Sequence, residues 1–379
     1  MKILQKKFSK TKGWETLRND QFDPALSNFV LVFGSREIIS ESDVFTSIKS
    51  SYPNADIVLN STSGEIMGTD VMDDTISVTA ILFEKTEIST AIAQIDKSKN
   101  SYEAGKQLAS ELSPAGLKYV MVISDGQKVN GDELVLGLQE HLPADTIITG
   151  GLAGDGGNFQ KTVVGLNESP VEGRIVAVGF YGSELAVTYG CVGGWDAFGP
   201  ERLITKSVGN VLYELDGKPA LDIYKTYLGE YAKELPKSGL MFPLSIRVEG
   251  TNHSMVRSIM GINEDEKSLT FGGNMPEGSY ALLMNANFDK LIEGASEAAQ
   301  NSMNKKIKQP DLALIISCMA RKLVLDQRVE EEIDVVRAIY GETTVMTGFY
   351  SYGEIAPSLN SLKCELHNQT MTITTFTEN

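Results

Sequence analysis

The sequence predicts a mixed α/β protein of two domains, each a mixed β-sheet layered with helices. Short apolar runs rich in β-branched residues alternate with amphipathic, capped segments, which is the order of strands and helices in such proteins. Beyond residue 240, short connections rich in glycine, asparagine and glutamate favour antiparallel pairing. The length of 379 residues suits two domains.

The first half of the chain alternates between strands and helices. The apolar run at 29–33 is typical of a buried strand, and the segment after it places its apolar residues on one helical face. Ser101 caps a helix over 101–113, and another helix runs from Asp132 to His141. Further strands are predicted at 56–60, 75–83, 119–123, 146–148, 174–181 and 185–191.

The second half begins after a turn and helix start at 216–224, which we take as the domain boundary. This gives an N-terminal extension at 1–26, a first domain at 27–218 and a second domain at 219–379. Helices are predicted at 294–307 and 328–340, and strands at 244–248, 255–260, 268–271, 279–284, 312–316, 344–348 and 369–376. No internal repeat is recognisable.

Acidic residues outnumber basic ones. Lys and Arg number 34 and Asp and Glu number 50, so the formal net charge is −16. This charge repels a phosphate backbone and argues against nucleic-acid binding. No run of about 18 apolar residues occurs, so no membrane partner is expected.

The three cysteines are Cys191, Cys318 and Cys364, and they form no Cys-x-x-Cys pair. Neither a disulfide framework nor a structural zinc site is therefore expected. Because the N-terminal segment also lacks an apolar stretch of signal-peptide length, the sequence predicts a cytoplasmic protein.

Neither of two glycine-containing stretches matches a catalytic pattern. The stretch 150–157 matches no phosphate-loop pattern, and a tight glycine turn is favoured over a ligand loop. The stretch 348–354 is not a nucleophile elbow, because its serine lies three residues after the first glycine. Its Tyr350, Tyr352 and Glu354 suit hydrogen bonding to a small polar ligand, with a turn in the core as the alternative.

The histidines are His141, His253 and His367, without a zinc-hydrolase pattern. His141 ends a helix, where a cation is favourable. One axial histidine is enough to hold a haem. His367, and after it His253, are therefore candidate iron ligands, with hydrogen bonding at a strand start or polar turn as the alternative.

Two arginines are candidates for binding an anionic group. Arg321, shortly after Cys318, lies just past the end of the predicted strand 312–316, where α/β sheets place ligand contacts. A structural pair with a glutamate of 330–332 is the alternative. Arg247, within a predicted strand, either reaches a pocket or pairs with a carboxylate at an exposed sheet face.

Several segments, in this order and spacing, resemble the two halves of FIST domains. The N-terminal half is carried by 55–66, 101–109, 124–134, 150–159, 193–200 and 213–224, and the C-terminal half by Ser317 to Glu332, 348–357 and 366–370. The similarity runs from about residue 27 to 376. One departure is that Ile316-Ser317 precedes Cys318, where the family often has an aromatic residue.

The resemblance implies a sensory module of signal transduction that binds small ligands, amino acids among them. A similar stand-alone branch consists of bacterial haemoproteins that sense nitric oxide and act on a histidine kinase or a cyclic-di-nucleotide enzyme. Since no kinase or cyclase segment is recognisable, this chain would signal through a partner protein.

Three functional hypotheses follow. The first is a non-catalytic sensor for an amino-acid-like or other small ligand, held by Arg321, Tyr350, Tyr352, Glu354, Asn368 and Cys318, with Arg247 and Trp195 as outer contacts. The second is a haem b sensor of nitric oxide with His367 or His253 on the iron. The third, an enzyme with Glu354 as general base beside Cys318, is disfavoured because no catalytic pattern is present.

Overall fold

The computed structural model describes residues 1–95, 100–248, 250, 254–303, 309–358 and 363–379. The fold is mixed α/β, as the sequence predicted. Three six-stranded sheets surround one apolar core, and an eight-stranded antiparallel sheet lies in a separate body. None of the helices in this described part is both long and apolar enough to cross a bilayer.

The three six-stranded sheets are built from three units of the chain. Unit I contains β1 Lys2–Ser9, β2 Gly13–Asn19, β3 Phe29–Gly34, α1 Arg36–Ile39, α2 Val44–Ser51, β4 Asp56–Ser61, β5 Glu65–Met67, β6 Asp70–Met72 and β7 Thr75–Leu82. Unit II contains β8 Glu87–Gln94, α3 Ser101–Glu111, β9 Leu117–Ser124, α4 Gly131–Gln139, β10 Ile147–Leu152, β11 Val164–Leu166 and β12 Arg174–Tyr181.

Unit III is interrupted after its first strand, β13 Leu185–Val192, by the body that we call the inserted domain, residues 196–285. The inserted domain contains β14 Asp196–Val208, β15 Val211–Leu215, β16 Lys218–Pro219, α5 Ala220–Leu228, β17 Leu244–Arg247, β18 Ser254–Arg257, β19 Ile259–Asn263, β20 Ser268–Phe271 and β21 Tyr280–Asn285. Unit III resumes with α6 Phe288–Ser302, β22 Leu312–Cys318, α7 Met319–Leu325, α8 Val329–Tyr340, β23 Val345–Ser351, β24 Gly353–Pro357, β25 Cys364–His367 and β26 Met371–Glu378.

The three units share one topology, a repeat that the sequence did not reveal. Each has a central parallel pair, namely β3 with β4, β9 with β10, or β22 with β23. Beside the first strand of each pair lies an antiparallel strand of the same unit, and beyond that lies a further strand of the unit, nearer the edge of the sheet. Each unit then passes its next strand to another unit's sheet. Strand β5 joins β23, β11 joins β4 and β24 joins β10, so the exchange is cyclic.

The three turns that lead into the exchanged strands meet and hydrogen-bond to one another. The backbone N–H of Gly154 donates to Ser61 O (3.0 Å), that of Ser63 to Tyr350 O (2.9 Å), and that of Tyr352 to Leu152 O (3.1 Å). In each turn the donor follows the acceptor by two residues. The predicted turn at 348–354 is therefore a crossing between two sheets.

Burial on both faces explains why the central strands read as continuous apolar runs. Their inner faces form the shared core, in which Phe33 meets Phe349 and Phe180 meets Phe376 with ring centroids 4.9 and 5.8 Å apart. Their outer faces are covered by α1 and α2, by α3 and α4, and by α6 and α8. The inserted domain has its own apolar core around Leu212. The predicted boundary at 218 falls at β16 inside this domain and stays a prediction.

Candidate functional site

A cleft of about 940 Å³ lies between unit II, unit III and the inserted domain. One wall is α4, the floor is the end of β13 together with β25, and the other wall is β18 with residues 274 and 276. Its size is in the range of small-molecule sites, and its surface combines apolar side chains with a few polar groups. The cleft is therefore the candidate ligand site.

Helix α4 supplies the first wall through its apolar and acidic faces. The Asn130 side chain caps the helix by accepting from the Glu133 N–H at 3.1 Å. Asp132 lies in the first turn, where the helix dipole favours a carboxylate. Val135 and Leu136 contribute the apolar part of the wall.

The floor is a sheet edge whose outward carbonyls are bonded to side chains. Gln139 Nε2 donates to Cys364 O (3.0 Å), and Arg257 Nη1 donates to Leu366 O (2.7 Å). These bonds satisfy backbone groups that an edge strand otherwise exposes. The floor can thus face a ligand cavity with its polar backbone satisfied.

Arg257 connects the inserted domain to unit II across one end of the cleft. Its side chain is almost fully buried, and Nη2 lies 3.0 and 3.1 Å from the two carboxylate oxygens of Asp132. Asp132 Oδ2 also accepts the Asn274 N–H at 2.6 Å, and Arg257 Nε donates to Asn274 O at 3.3 Å. Every nitrogen of this guanidinium is hydrogen-bonded within the protein. The side chain therefore helps to define the shape of the cleft and does not offer its charge to a ligand.

Two thiols form part of the floor. Cys191 and Cys364 both line the cleft and are buried as free cysteines. Desolvation raises the pKa of Cys191 to about 11 and that of Cys364 well above its usual value. Both thiols are therefore neutral at pH 7, and this part of the floor is soft and uncharged.

His367 is the one histidine of the described residues that lines the cleft. It is 8% exposed, and its Nε2 lies 3.0 Å from Ala356 O. His253, the second candidate iron ligand, lies outside the described residues. His141 Nδ1 lies 3.0 Å from Gly137 O at the end of α4, as expected for a helix terminus. No cluster of three or more metal-ligating side chains is found within the described ranges.

Arg321 lies away from the cleft in a fully buried network. Its Nε and Nη2 donate to Glu332 Oε2 at 3.0 and 2.9 Å, and Nη2 also donates to Leu291 O at 2.7 Å. A further bond runs from Nη1 to Gly193 O. The structural Arg–Glu alternative left open by the sequence is thus the arrangement observed.

The other carboxylate oxygen of Glu332 completes this network. Oε1 accepts from Tyr350 OH at 2.7 Å and from Ser317 Oγ at 3.2 Å. Tyr350 is not exposed at all, and desolvation raises the pKa of its phenol well above the usual range. Tyr350 and Arg321 are therefore brought together, but by Glu332 and not around a cavity.

Glu354 lies directly behind the cleft floor. Its Oε2 accepts both the N–H (3.1 Å) and the hydroxyl (2.9 Å) of Thr370, a cleft-lining residue, and Oε1 accepts from Ser351 Oγ at 2.5 Å. Desolvation raises the pKa of Glu354 to about 7. Burial, and after it the charge of Glu354, raises the pKa of the Cys318 thiol as well.

The remaining predicted residues are spread over three places. Tyr352 stacks on Phe159 with centroids 4.7 Å apart, and its OH donates to Gly156 O at 3.2 Å. Asn368 is buried and accepts the Ser258 N–H at 3.4 Å. Trp195 Nε1 donates to Gln369 O at 2.9 Å.

Arg247 lies within the inserted domain, where it forms a two-bond pair with Glu201 at 2.9 and 2.7 Å. Its guanidinium carbon also lies 4.9 Å from the Tyr280 ring centroid. This is the sheet-face carboxylate alternative. Of the predicted site residues that the structure describes, the cleft therefore contains His367 itself and touches Glu354 through Thr370.

Sequence reasoning missed Asp132, Arg257, Cys191 and Cys364 as parts of one site. The sequence predicts Asp132 only as a helix start, and it gives Cys191 and Cys364 no role in a site. A signal was available in the acidic first turn of α4, but its partner Arg257 is 125 residues away.

Comparison with protein-family models agrees with the resemblance described above. Family models for the FIST N domain and the FIST C domain match residues 28–218 and 220–357. An uncharacterized protein of Methanocaldococcus jannaschii is 26% identical over 216 residues, which are 54% of this chain and 40% of that protein. The chain thus spans less than half the length of this relative. Among solved structures, the cyanuric acid hydrolase of A. caulinodans has a TM-score of 0.32 and 9% identity, covering 94% of this chain and 92% of that one.

Proposed function

This chain belongs to the FIST family, whose domains are signal-transduction sensors of small ligands, and from that premise we propose that its cleft is the sensory site. The observation that carries the proposal is the cleft itself. It is formed jointly by residues from both family-matched regions, so a ligand there touches parts of the protein that are far apart in sequence. Such a ligand can bias the arrangement of these parts if it binds one arrangement more tightly.

The cleft favours a largely apolar ligand with a few polar groups. Its walls contribute Val135, Leu136, Met255 and Val256, and its floor contributes Leu366. Its floor contributes neutral thiols. We therefore place the ligand here and not at Arg321, because a ligand at Arg321 would have to displace Glu332 and two backbone carbonyls from a fully buried guanidinium. The non-catalytic role of the first hypothesis is kept.

The second candidate function is the haem b sensor of nitric oxide, favoured by one observation, the position of His367 in an apolar cleft of sufficient size. The lining offers a single imidazole as an iron ligand and, besides its apolar side chains, the charged residues Asp132, Glu133, Arg257, Lys363 and Glu365. A ring nitrogen bonded to a backbone carbonyl is the usual support of a ligating histidine, and Nε2 lies against Ala356 O. His367 would then hold the iron, and the haem would supply an open iron position for nitric oxide.

A signalling partner, either a histidine kinase or a cyclic-di-nucleotide enzyme, is also our proposal, supported by the sensory role of the family. The cytoplasm is the proposed location. Its support is that all three cysteines are free thiols, which a reducing compartment maintains.

A screen of small apolar acids, amines and aromatic compounds by thermal shift tests the cleft as the site. A ligand that raises Tm for the wild type but not for Leu136→Trp, which fills the cleft mouth, supports the proposal. Leu323→Trp is the matched control, since Leu323 is also a half-exposed helical leucine but lies on α7 away from the cleft. A ligand that is insensitive to Leu136→Trp would place the site elsewhere.

A hemin titration followed by absorption spectroscopy, with and without nitric oxide, separates the two candidates. Saturable one-to-one binding that is lost in His367→Ala and kept in His141→Ala supports the haem sensor. Binding that does not saturate, or that ignores these two substitutions and His253→Ala as well, rejects haem and leaves the apolar-ligand sensor in place.

A further inference from the structure

The inserted domain connects to the rest of the molecule through two neighbouring crossings. The chain enters at 193–195 and leaves at 286–287, and the first strand pair after these crossings is Asp196 opposite Asn285. Asn287 Nδ2 donates to Asp196 Oδ2 at 2.8 Å, which ties the two crossings together. Two adjacent connections of this kind permit rotation of one body about a single line.

One position of the entering crossing has space for glycine only. Gly194 has φ +91°, a region that favours glycine, and a Cβ there would lie 2.1 Å from Lys290 O. The backbone of the entering segment therefore passes directly over the start of α6. This close passage fixes where a rotation axis can lie.

Contacts near the crossings differ in kind from those across the cleft. Near the crossings, Leu240 and Met241 of the inserted domain pack against apolar residues of units II and III. Across the cleft, the described contacts at the Arg257 end are polar and include the Arg257–Asp132 ion pair, the bond from Arg257 to Leu366 O, and the bond from Asn130 Nδ2 to Asn274 Oδ1 at 3.2 Å. An apolar pivot with a polar far side is the arrangement of a hinge.

We infer that the inserted domain rotates about the crossings at 193–195 and 286–287 to open and close the cleft, and that Arg257 with Asp132 is the latch of the closed state. This inference rests on the proposed sensory role of the cleft and adds how occupancy is transmitted. A ligand between α4 and β18 touches both bodies and stabilises one hinge angle over the other. The hinge angle, read by a partner, is then the signal.

The Arg257–Asp132 ion pair has a closely matched control pair within the inserted domain. Asp132 accepts from the Arg257 guanidinium and from the Asn274 N–H across the cleft. Asp216 accepts from the Arg202 guanidinium (2.7 Å) and from the Leu203 N–H (2.9 Å) entirely within the inserted domain. Replacing either aspartate by asparagine removes the same chemistry, but only Asp132→Asn loosens the two bodies.

Spin labels on Lys106→Cys in α3 and Val208→Cys at the tip of the inserted domain report the hinge angle in the full chain. Both positions are exposed, whereas the three native cysteines are buried. We expect the label distance to lengthen and its distribution to broaden in Asp132→Asn and to stay at the parent value in Asp216→Asn. Arg257→Lys keeps the positive charge but loses the branched guanidinium group. It is a second variant for which we expect the same lengthening of the label distance.

Equal distance distributions in the parent, Asp132→Asn and Arg257→Lys would overturn the hinge. Because no ligand is needed for this measurement, the result does not depend on the thermal-shift screen or the hemin titration. A failed hinge with intact ligand binding removes only the transmission mechanism. Lost binding with an intact hinge removes the sensory role of the cleft.

Discussion

Arg321 and Glu332 form an ion pair in which neither side chain is exposed to solvent, with Nη2 2.9 Å from Oε2. The pair joins α7 to α8, and its remaining bonds reach Gly193, Leu291, Ser317 and Tyr350. Because Gly193 lines the cleft and starts the entering crossing, this pair holds the base of the hinge in place. Its role is structural and it acts on the site from behind.

Removing one member of this pair should be costly. Arg321→Met leaves the Glu332 carboxylate buried without its cation, and we expect the free energy of unfolding to fall by about 3–5 kcal/mol in urea titrations. The double variant Arg321→Met with Glu332→Leu should recover part of this loss, since no charge is then stranded. Arg328→Met, which breaks a surface pair with Glu331 and Asp289, should cost far less, because both partners of that pair are exposed to water. Equal losses for Arg321→Met and Arg328→Met would contradict the assignment.

Much of the fold could be predicted from the sequence, because local patterns encode it. The central strands are buried on both faces and read as apolar runs, and the helices carry amphipathic periods and caps. The cyclic strand exchange was missed because no periodicity records which sheet a strand joins. A trace of it does exist, since Gly-Glu-Ile occurs at 64–66 and again at 353–355, each time at a crossing between sheets.

The site was less predictable than the fold for a physical reason. Tyr350 and Arg321 are close in space, as their positions after successive strands suggested, but burial joins them through Glu332 in a bonded network. Ligand sites need unfilled volume, and volume arises where separate bodies meet. The cleft depends on the position of the inserted domain, which sequence patterns do not specify.

Two of the three crossings require glycine at the same position, whereas the third has Leu59 there. Gly348 and Gly150 each lie two residues before the crossing turn, and a Cβ on either would lie 1.8 Å from the carbonyl oxygen of Ile315 or Val122 on the parallel neighbour. We expect Gly348→Ala to lower the free energy of unfolding by about 3 kcal/mol through this overlap. Gly157→Ala is the control, because no atom lies within 4 Å of its added Cβ. A Gly348→Ala protein as stable as Gly157→Ala would show that the strands can separate at no cost.

The burial of Glu65 determines the direction in which the stability of the protein changes with pH. The carboxyl is fully buried, with hydroxyl partners Thr62 and Thr75, and desolvation raises its pKa from 4.5 to about 7. The folded protein therefore retains a proton that the unfolded chain loses above about pH 4.5. The contribution of this carboxyl to the free energy of unfolding must therefore fall by about 3 kcal/mol as pH rises from about 4.5 to about 7. Above this range it stays constant.

Glu65→Gln cannot titrate, so its stability relative to the wild type should increase by about 3 kcal/mol between pH 5 and pH 8. Chemical denaturation of both proteins across this range measures the difference. Glu354, whose pKa is raised in the same direction, is present in both proteins and cancels in the comparison. Parallel stability curves for the two proteins would mean that Glu65 is ionised throughout.

The strand exchange predicts which fragments fold. A fragment of residues 1–218, cut at the predicted domain boundary, lacks β23 and β26, the partners of β5 and β13, and lacks β24, the partner of β10. We expect it to show no cooperative unfolding transition by circular dichroism, because two sheets lose central or adjoining strands and the shared core loses one side. Deleting 196–285 and joining the chain ends with a short glycine-serine linker should preserve a cooperative transition, since Asp196 and Asn285 are neighbours across a strand pair. A stably folded 1–218 fragment would instead support a boundary at 218 and would make the exchanged strands dispensable.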